Sequence, residues 1–266
     1  MLRSPDGKRK TLRPVRPNPG IQAAYQRKLD AMIGAMNRDT LATVKRTWRA
    51  KKPATLALDK SAAAELNAAM ARLVARWTAY FDGLAQSIAR RFATATMSAA
   101  DISARASLRQ AGLTVKWKLT PAANDAYRAV IAENVGLIRS IPAQYLTQVQ
   151  GDVMRSVAAG RDLAMLTDAI ERQYGVTRRR AELIARDQNN KATGVIVKTR
   201  MQEAGFTHAV WIHSGGGDKP RPGHVKAGRE RLVFELAKGA FIDGEWILPG
   251  QLINCRCVSR PVLEGV

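Results

Sequence analysis

The chain has 266 residues, 46% of them hydrophobic and only 6% aromatic, and 43 Lys and Arg against 22 Asp and Glu leave a formal charge of +21. That length can bury a real core, and an Ala-rich, aromatic-poor composition favours closely packed helices over a β-sandwich built on large side chains. The charge points to a polyanionic partner, non-specific double-stranded DNA or an acidic protein surface, held by contacts that weaken with salt and read no base sequence. No apolar stretch follows the basic N-terminus, which predicts neither a secretory signal nor a membrane span and a start in a cytoplasm. The two cysteines, Cys255 and Cys257, stand one residue apart, where a bridge would be strained, so no disulfide framework is expected.

Residues 1–20 place Lys8, Arg9, Lys10, Arg13 and Arg16 among four prolines and read as a flexible basic arm for DNA or an acidic partner. Up to residue 60 there are fifteen Lys and Arg against four Asp and Glu, so about half of the net charge lies in this first stretch. A helical region is expected over 21–112. Leu29, Met32, Ile33 and Met36 recur at helical spacing up to about Trp48, and Pro53 interrupts the pattern. Leu66, Met70, Leu73, Trp77, Phe81, Leu84, Ile88 and Phe92 then step by three or four along a long Ala-rich helix between Ser61 and Met97.

A helical bundle is expected over 113–205. It opens on Leu113, Val115, Trp117 and Leu119 alternating with Thr114, Lys116 and Lys118, which predicts a short strand or strand-like clip. Thr120-Pro121 is a helix opening, and Pro142 is expected to stop that helix. Three more helices follow, Pro142–Ala159 closed by Gly160, Asp162–Tyr174 closed by Gly175, and Thr177–Ala204 closed by Gly205. Arg178, Arg179 and Arg180 would begin the last of these, where cations oppose the helix dipole and a bound anion would relieve them. Residues 206–266 read as a small α+β module, with a strand over His208–His213 and a hairpin turning at Asp243-Gly244 between Phe241-Ile242 and Trp246-Ile247. The expected fold is mainly α, with a helical N-terminal region and a helical bundle followed by this module.

The informative stretch runs from Trp211 to Cys257. W-I-H-S-G-G-G-D-K-P-R-P-G-H leads through Gly228 and Pro249-Gly250 to N-C-R-C; I-A-R-D-Q at Ile184–Gln188 and E-x-G at Glu203–Gly205 precede it. With T-P-x-x-N at Thr120–Asn124 and S-I-P at Ser140–Pro142, the order of these pieces over about residues 120–266 resembles the Mu F-like phage head morphogenesis family. The chain departs from that pattern where Gly215-Gly216-Gly217 widens the loop before Asp218. The resemblance implies a minor head (minor capsid) protein that is not an enzyme and requires no cofactor. It would act in prohead assembly at the portal–capsid junction, with the portal, a major capsid or scaffolding protein and packaged DNA as partners. Its place would be in the virion, inside the capsid near the portal, after assembly in the host cytoplasm.

Without the family, the same residues admit further chemistry. His224, Cys255 and Cys257 are soft ligands that would hold a structural zinc, with Asp218 or His213 as the fourth. In the plainer alternative the thiols pack as small hydrophobes on a closing strand, while His224 and Asp218 hydrogen-bond the loop backbone. Asp218, Arg221 and His224 could also form a catalytic cluster, making the chain a zinc-dependent nuclease, although no nucleophile or paired carboxylate accompanies them. A third reading is a non-specific DNA-binding protein. Gly215-Gly216-Gly217 is followed by Asp218 and no Gly-Lys-Ser/Thr sequence occurs, so nucleotide hydrolysis is excluded as the expected activity.

Overall fold

A computed structural model describes residues 11–49, 60–159, 163–217 and 219–263. Among them lie α1 (Pro19–Arg49), α2 (Lys60–Gln110), α3 (Pro121–Ala158), α4 (Leu163–Glu203), β1 (His208–Ile212), α5 (Pro222–Arg229), β2 (Val233–Glu235), β3 (Ala240–Ile242), β4 (Glu245–Ile247) and β5 (Val258–Pro261). The mainly α expectation with a small strand-containing module is met. Among the described residues, no helix is long and apolar enough to cross a membrane.

The chain forms two compact units, each gathered from separate stretches, and the four long helices supply residues to both. One unit takes residues 24–89 and 132–184, and its described residues belong to the four long helices apart from Ala159. The stripes read from the sequence are its core: Leu29, Ile33 and Met36 of α1 and Leu66, Met70, Leu73 and Phe81 of α2 are fully buried. Ile138, Tyr145, Leu146 and Val149 supply the α3 face and Leu166 and Ile170 the α4 face. Tyr145 Oη donates to Asn37 Oδ1 at 2.6 Å, and Trp77 Nε1 donates to Asp39 at 2.7 Å, so these polar tips are satisfied inside the helical packing.

Two expected stops do not occur in this unit. Pro142 lies inside α3, which runs through it for 38 residues, and Gly175 lies inside the 41-residue α4. An interior proline costs a helix about 3 kcal/mol and a glycine about 1 kcal/mol. Burial of Ile138, Ile141, Tyr145 and Leu146 around the first, and of Ile170 and Ala181 around the second, outweighs both. Arg178, Arg179 and Arg180 therefore sit mid-helix and do not face an N-terminus, which removes the reason for placing an anion there.

The other unit takes the described residues up to Ala23 with 90–131 and 185–263. Its sheet has the order β2-β1-β5 with both pairs antiparallel; Ala209 faces Phe234 on one side and Pro261 on the other. β3 and β4 form the expected hairpin, and the positive φ of both Asp243 (52°) and Gly244 (87°) makes the turn that matches strand twist. The alternating segment over 113–119 joins no sheet; Leu113, Val115 and Trp117 pack on the core and Lys116 and Lys118 are exposed, but Leu119, expected on the apolar face, is exposed too. α4 ends at Glu203 and is closed by Gly205 as expected, at a φ of 85°, with Phe206 N–H on the Met201 carbonyl at 2.9 Å.

The expected basic arm needs correction in its described part. From Thr11 the chain is packed: Thr11 bridges Val262, Leu12 N–H donates to the Pro261 carbonyl at 2.9 Å, and Leu12 and Val15 are buried in the core. Two apolar residues between prolines suffice because a strand edge is there to receive them. Arg13 and Arg16 point outward and are exposed; Lys8, Arg9 and Lys10 lie outside the described residues.

Candidate functional site

The residues singled out near the C-terminus converge on one place in this second unit. α5 begins at Pro222, which is suited to a first helical turn, and brings His224 against β1, where the ring meets the edge of Trp211 with centroids 5.0 Å apart. The helix lies close to the chain leaving β1, and Gly228 is what permits it: a Cβ there would stand 2.4 Å from His213 Cβ and 2.9 Å from its backbone nitrogen. The glycine in the motif is thus a packing requirement.

The N-C-R-C segment is held from α4. Asn254 has a positive φ of 61°, its N–H donates to Asp187 Oδ1 at 2.9 Å, and its side-chain oxygen accepts from Arg186 at 2.6 Å. One turn further along α4, Asn190 Nδ2 donates to the Cys255 carbonyl at 3.0 Å. I-A-R-D-Q and N-C-R-C are therefore two halves of one clamp. Burial raises the Asp187 carboxyl above the usual carboxylate range, while the Asn254 N–H and the guanidinium groups of Arg186, Arg221 and Arg256 pull the other way.

The clamp delivers both thiols to the imidazole. His224 Nδ1 is 3.5 Å from Cys255 Sγ and 3.7 Å from Cys257 Sγ, and the three candidate ligand atoms lie within 4.8 Å of one another. All three side chains are buried. Gly250 N–H points at Cys255 Sγ at 3.3 Å. The neighbouring Cys257 side chain holds the Cys255 thiol low, at about 5, while Cys255 and burial together push the Cys257 thiol up. The cysteines sit in the turn leading into β5 and not on a strand. A cavity of about 480 Å³ shares these walls, with Arg186, Lys219, Arg221 and Arg256 among its lining.

The remaining predicted site residues divide. His213 lines the same cavity, but its Nδ1 accepts the Gly215 N–H at 3.1 Å, outside the His-Cys-Cys group. Asp218 lies outside the described residues, so neither its part as a fourth ligand nor the Asp218, Arg221, His224 cluster is placed; Arg221 donates to the Ile253 carbonyl at 3.1 Å. In the helical unit, Arg178 faces Asp30 at 3.5 Å, half-buried Arg180 donates to Ser140 Oγ at 2.9 Å, and Arg179 is exposed.

One cluster escaped the sequence reading. Arg200 is 4% exposed and grips Asp101 with two bonds of 2.8 and 2.9 Å. The same guanidinium bonds Glu203 at 2.9 Å and the Lys118 carbonyl at 2.8 Å, and lies over the Trp117 ring at 5.5 Å. It ties α2, the 113–119 segment and the end of α4 together. Asp101 and Arg200 are 99 residues apart and each looks like one more solvated helix charge.

Comparison with known proteins fits this geometry. Residues 147–260 match the model of the family described as Phage Mu protein F like protein, which bears out the resemblance over a span that starts later than residue 120. An uncharacterized protein of Haemophilus influenzae is 32% identical over 146 residues, 55% of this chain and 31% of that protein. The chain thus spans about a third of that relative's length. No solved structure matches.

Proposed function

We propose that the protein is a minor head protein of a tailed phage, an assembly component acting at the portal–capsid junction of the prohead and residing in the virion. The observation that carries this reading is the Mu F-like match over residues 147–260. It coincides with the segment whose motif residues clamp one another: Arg186, Asp187 and Asn190 on Asn254 and Cys255, and Gly228 against His213. Most of the motif is spent on holding a rigid module, which suits an interlocking surface better than a turnover site. The role is non-enzymatic.

The partners in this reading are the portal protein and a major capsid or scaffolding protein, with packaged double-stranded DNA met through charge alone. The net +21 and the outward Arg13, Arg16 and Arg179 support an electrostatic contribution to binding. The test is capture of purified portal by the full chain at low and high salt. Binding that weakens with salt is expected; no binding in either condition overturns the proposal.

A further inference from the structure

We propose that His224 Nδ1, Cys255 Sγ and Cys257 Sγ form a binding site for one zinc-class divalent cation, which clasps α5 to the turn entering β5. This inference is independent of the head-assembly role. Its basis is metric. Zinc bonds of about 2.3 Å to sulfur and about 2.0–2.1 Å to nitrogen, opened to the tetrahedral angle, set nitrogen roughly 3.6 Å from each sulfur. The protein holds those separations at 3.5 and 3.7 Å, with all three atoms within 4.8 Å of one another.

Hydrogen bonding alone accounts less well for this convergence. An imidazole nitrogen carries either one proton or one lone pair, so Nδ1 can serve one sulfur properly and not two. Small hydrophobes would bring the sulfurs against carbon, whereas here Cys255 Sγ also receives the Gly250 N–H, the kind of outer contact that steadies a metal-bound thiolate. The ring of His224 is fixed by Trp211 and the Cys255 backbone by Asn190, so the ligand atoms come from two sequence-separated segments already held in place. The strands around them have only 3–5 residues, and a module with so little sheet gains most from a metal crosslink.

The fourth position falls to a solvent oxygen from the adjoining cavity of about 480 Å³, whose walls include the same three residues. The metal takes both sulfurs as thiolates, and any thiol proton they still carry passes to the buffer on binding.

The test uses the full-length chain without a histidine tag. Metal content is measured by mass spectrometry as purified, and the protein is then stripped and refilled with cobalt(II). One zinc per chain is expected, together with a thiolate-to-cobalt charge-transfer band and tetrahedral d–d bands. Because the chain has 2 cysteines in all, such a band reports this pair and no other. Cys255→Ala/Cys257→Ala should abolish the band, and His224→Ala should cut zinc affinity at least tenfold. A folded wild-type protein that carries no stoichiometric metal and gives no thiolate band with cobalt overturns the site. The wild-type spectrum decides this even where a variant fails to fold.

Discussion

Replacing Arg200 by Ala would leave the Asp101 and Glu203 carboxylates, 13% and 16% exposed, without their shared cation. Breaking a buried ion pair from one side costs about 3–5 kcal/mol, because the partner charge stays buried and uncompensated. Here two carboxylates and the Lys118 carbonyl lose a partner at once, and the Trp117 ring loses its cation, which places the expected loss toward the upper end. For a chain of this size 1 kcal/mol moves the melting temperature by roughly 2–4 °C, so a fall on the order of 10 °C is predicted. Denaturant unfolding followed by tryptophan fluorescence would measure it. Arg200→Lys, which keeps the charge and loses the fork, should fall between. In a double-mutant cycle, Asp101→Ala should cost much less in the Arg200→Ala background than in wild type. A loss below about 1 kcal/mol for Arg200→Ala would refute the reasoning, since exposed pairs contribute that little.

Two further substitutions probe the candidate site. Gly228→Ala forces a methyl against the His213 backbone and should destabilise by about 1–3 kcal/mol, whereas Gly83→Ala, with nothing within 4 Å, should stabilise by up to about 1 kcal/mol. Thermal melts of both separate close approach from helix propensity, and equal shifts would sink the distinction. Asp187→Asn keeps an acceptor for the Asn254 N–H and removes the buried charge. A carboxyl raised in the folded state contributes most below its unfolded pKa and loses that contribution as pH rises through the folded value. Wild type should therefore lose stability relative to Asp187→Asn from about pH 3.8 upward, until the raised folded value is passed. Parallel stability curves for the two proteins would contradict the assignment.

The helices and their buried stripes were legible because they depend on local periodicity: the Leu29 to Met36 and Leu66 to Phe92 spacings are visible without any partner. The failures share one cause, tertiary burial overriding local chemistry. Pro142 and Gly175 are stop signals only when the turn around them lacks packing, and Ile138, Tyr145 and Ile170 supply it. Leu12 and Val15 read as an arm because the β5 edge that receives them lies some 250 residues away. At the site, the residue types were visible but their joining was not. Nothing local says that Asn190 on a helix will hold the Cys255 carbonyl, or that the Gly in P-G-H-V-K-A-G faces His213. Arg200 and Asp101 gave no signal, since charge pairs across helices leave no spacing to read.

In the proposed role, this chain is built into the phage head. Quantitative mass spectrometry of purified heads, from a host expressing the full set of head genes with and without this one, tests it most directly. The protein is expected in a fixed ratio to the portal, with empty or aberrant heads when its gene is removed. Normal yields of filled heads without the protein, or heads from which it is absent when expressed, would contradict it.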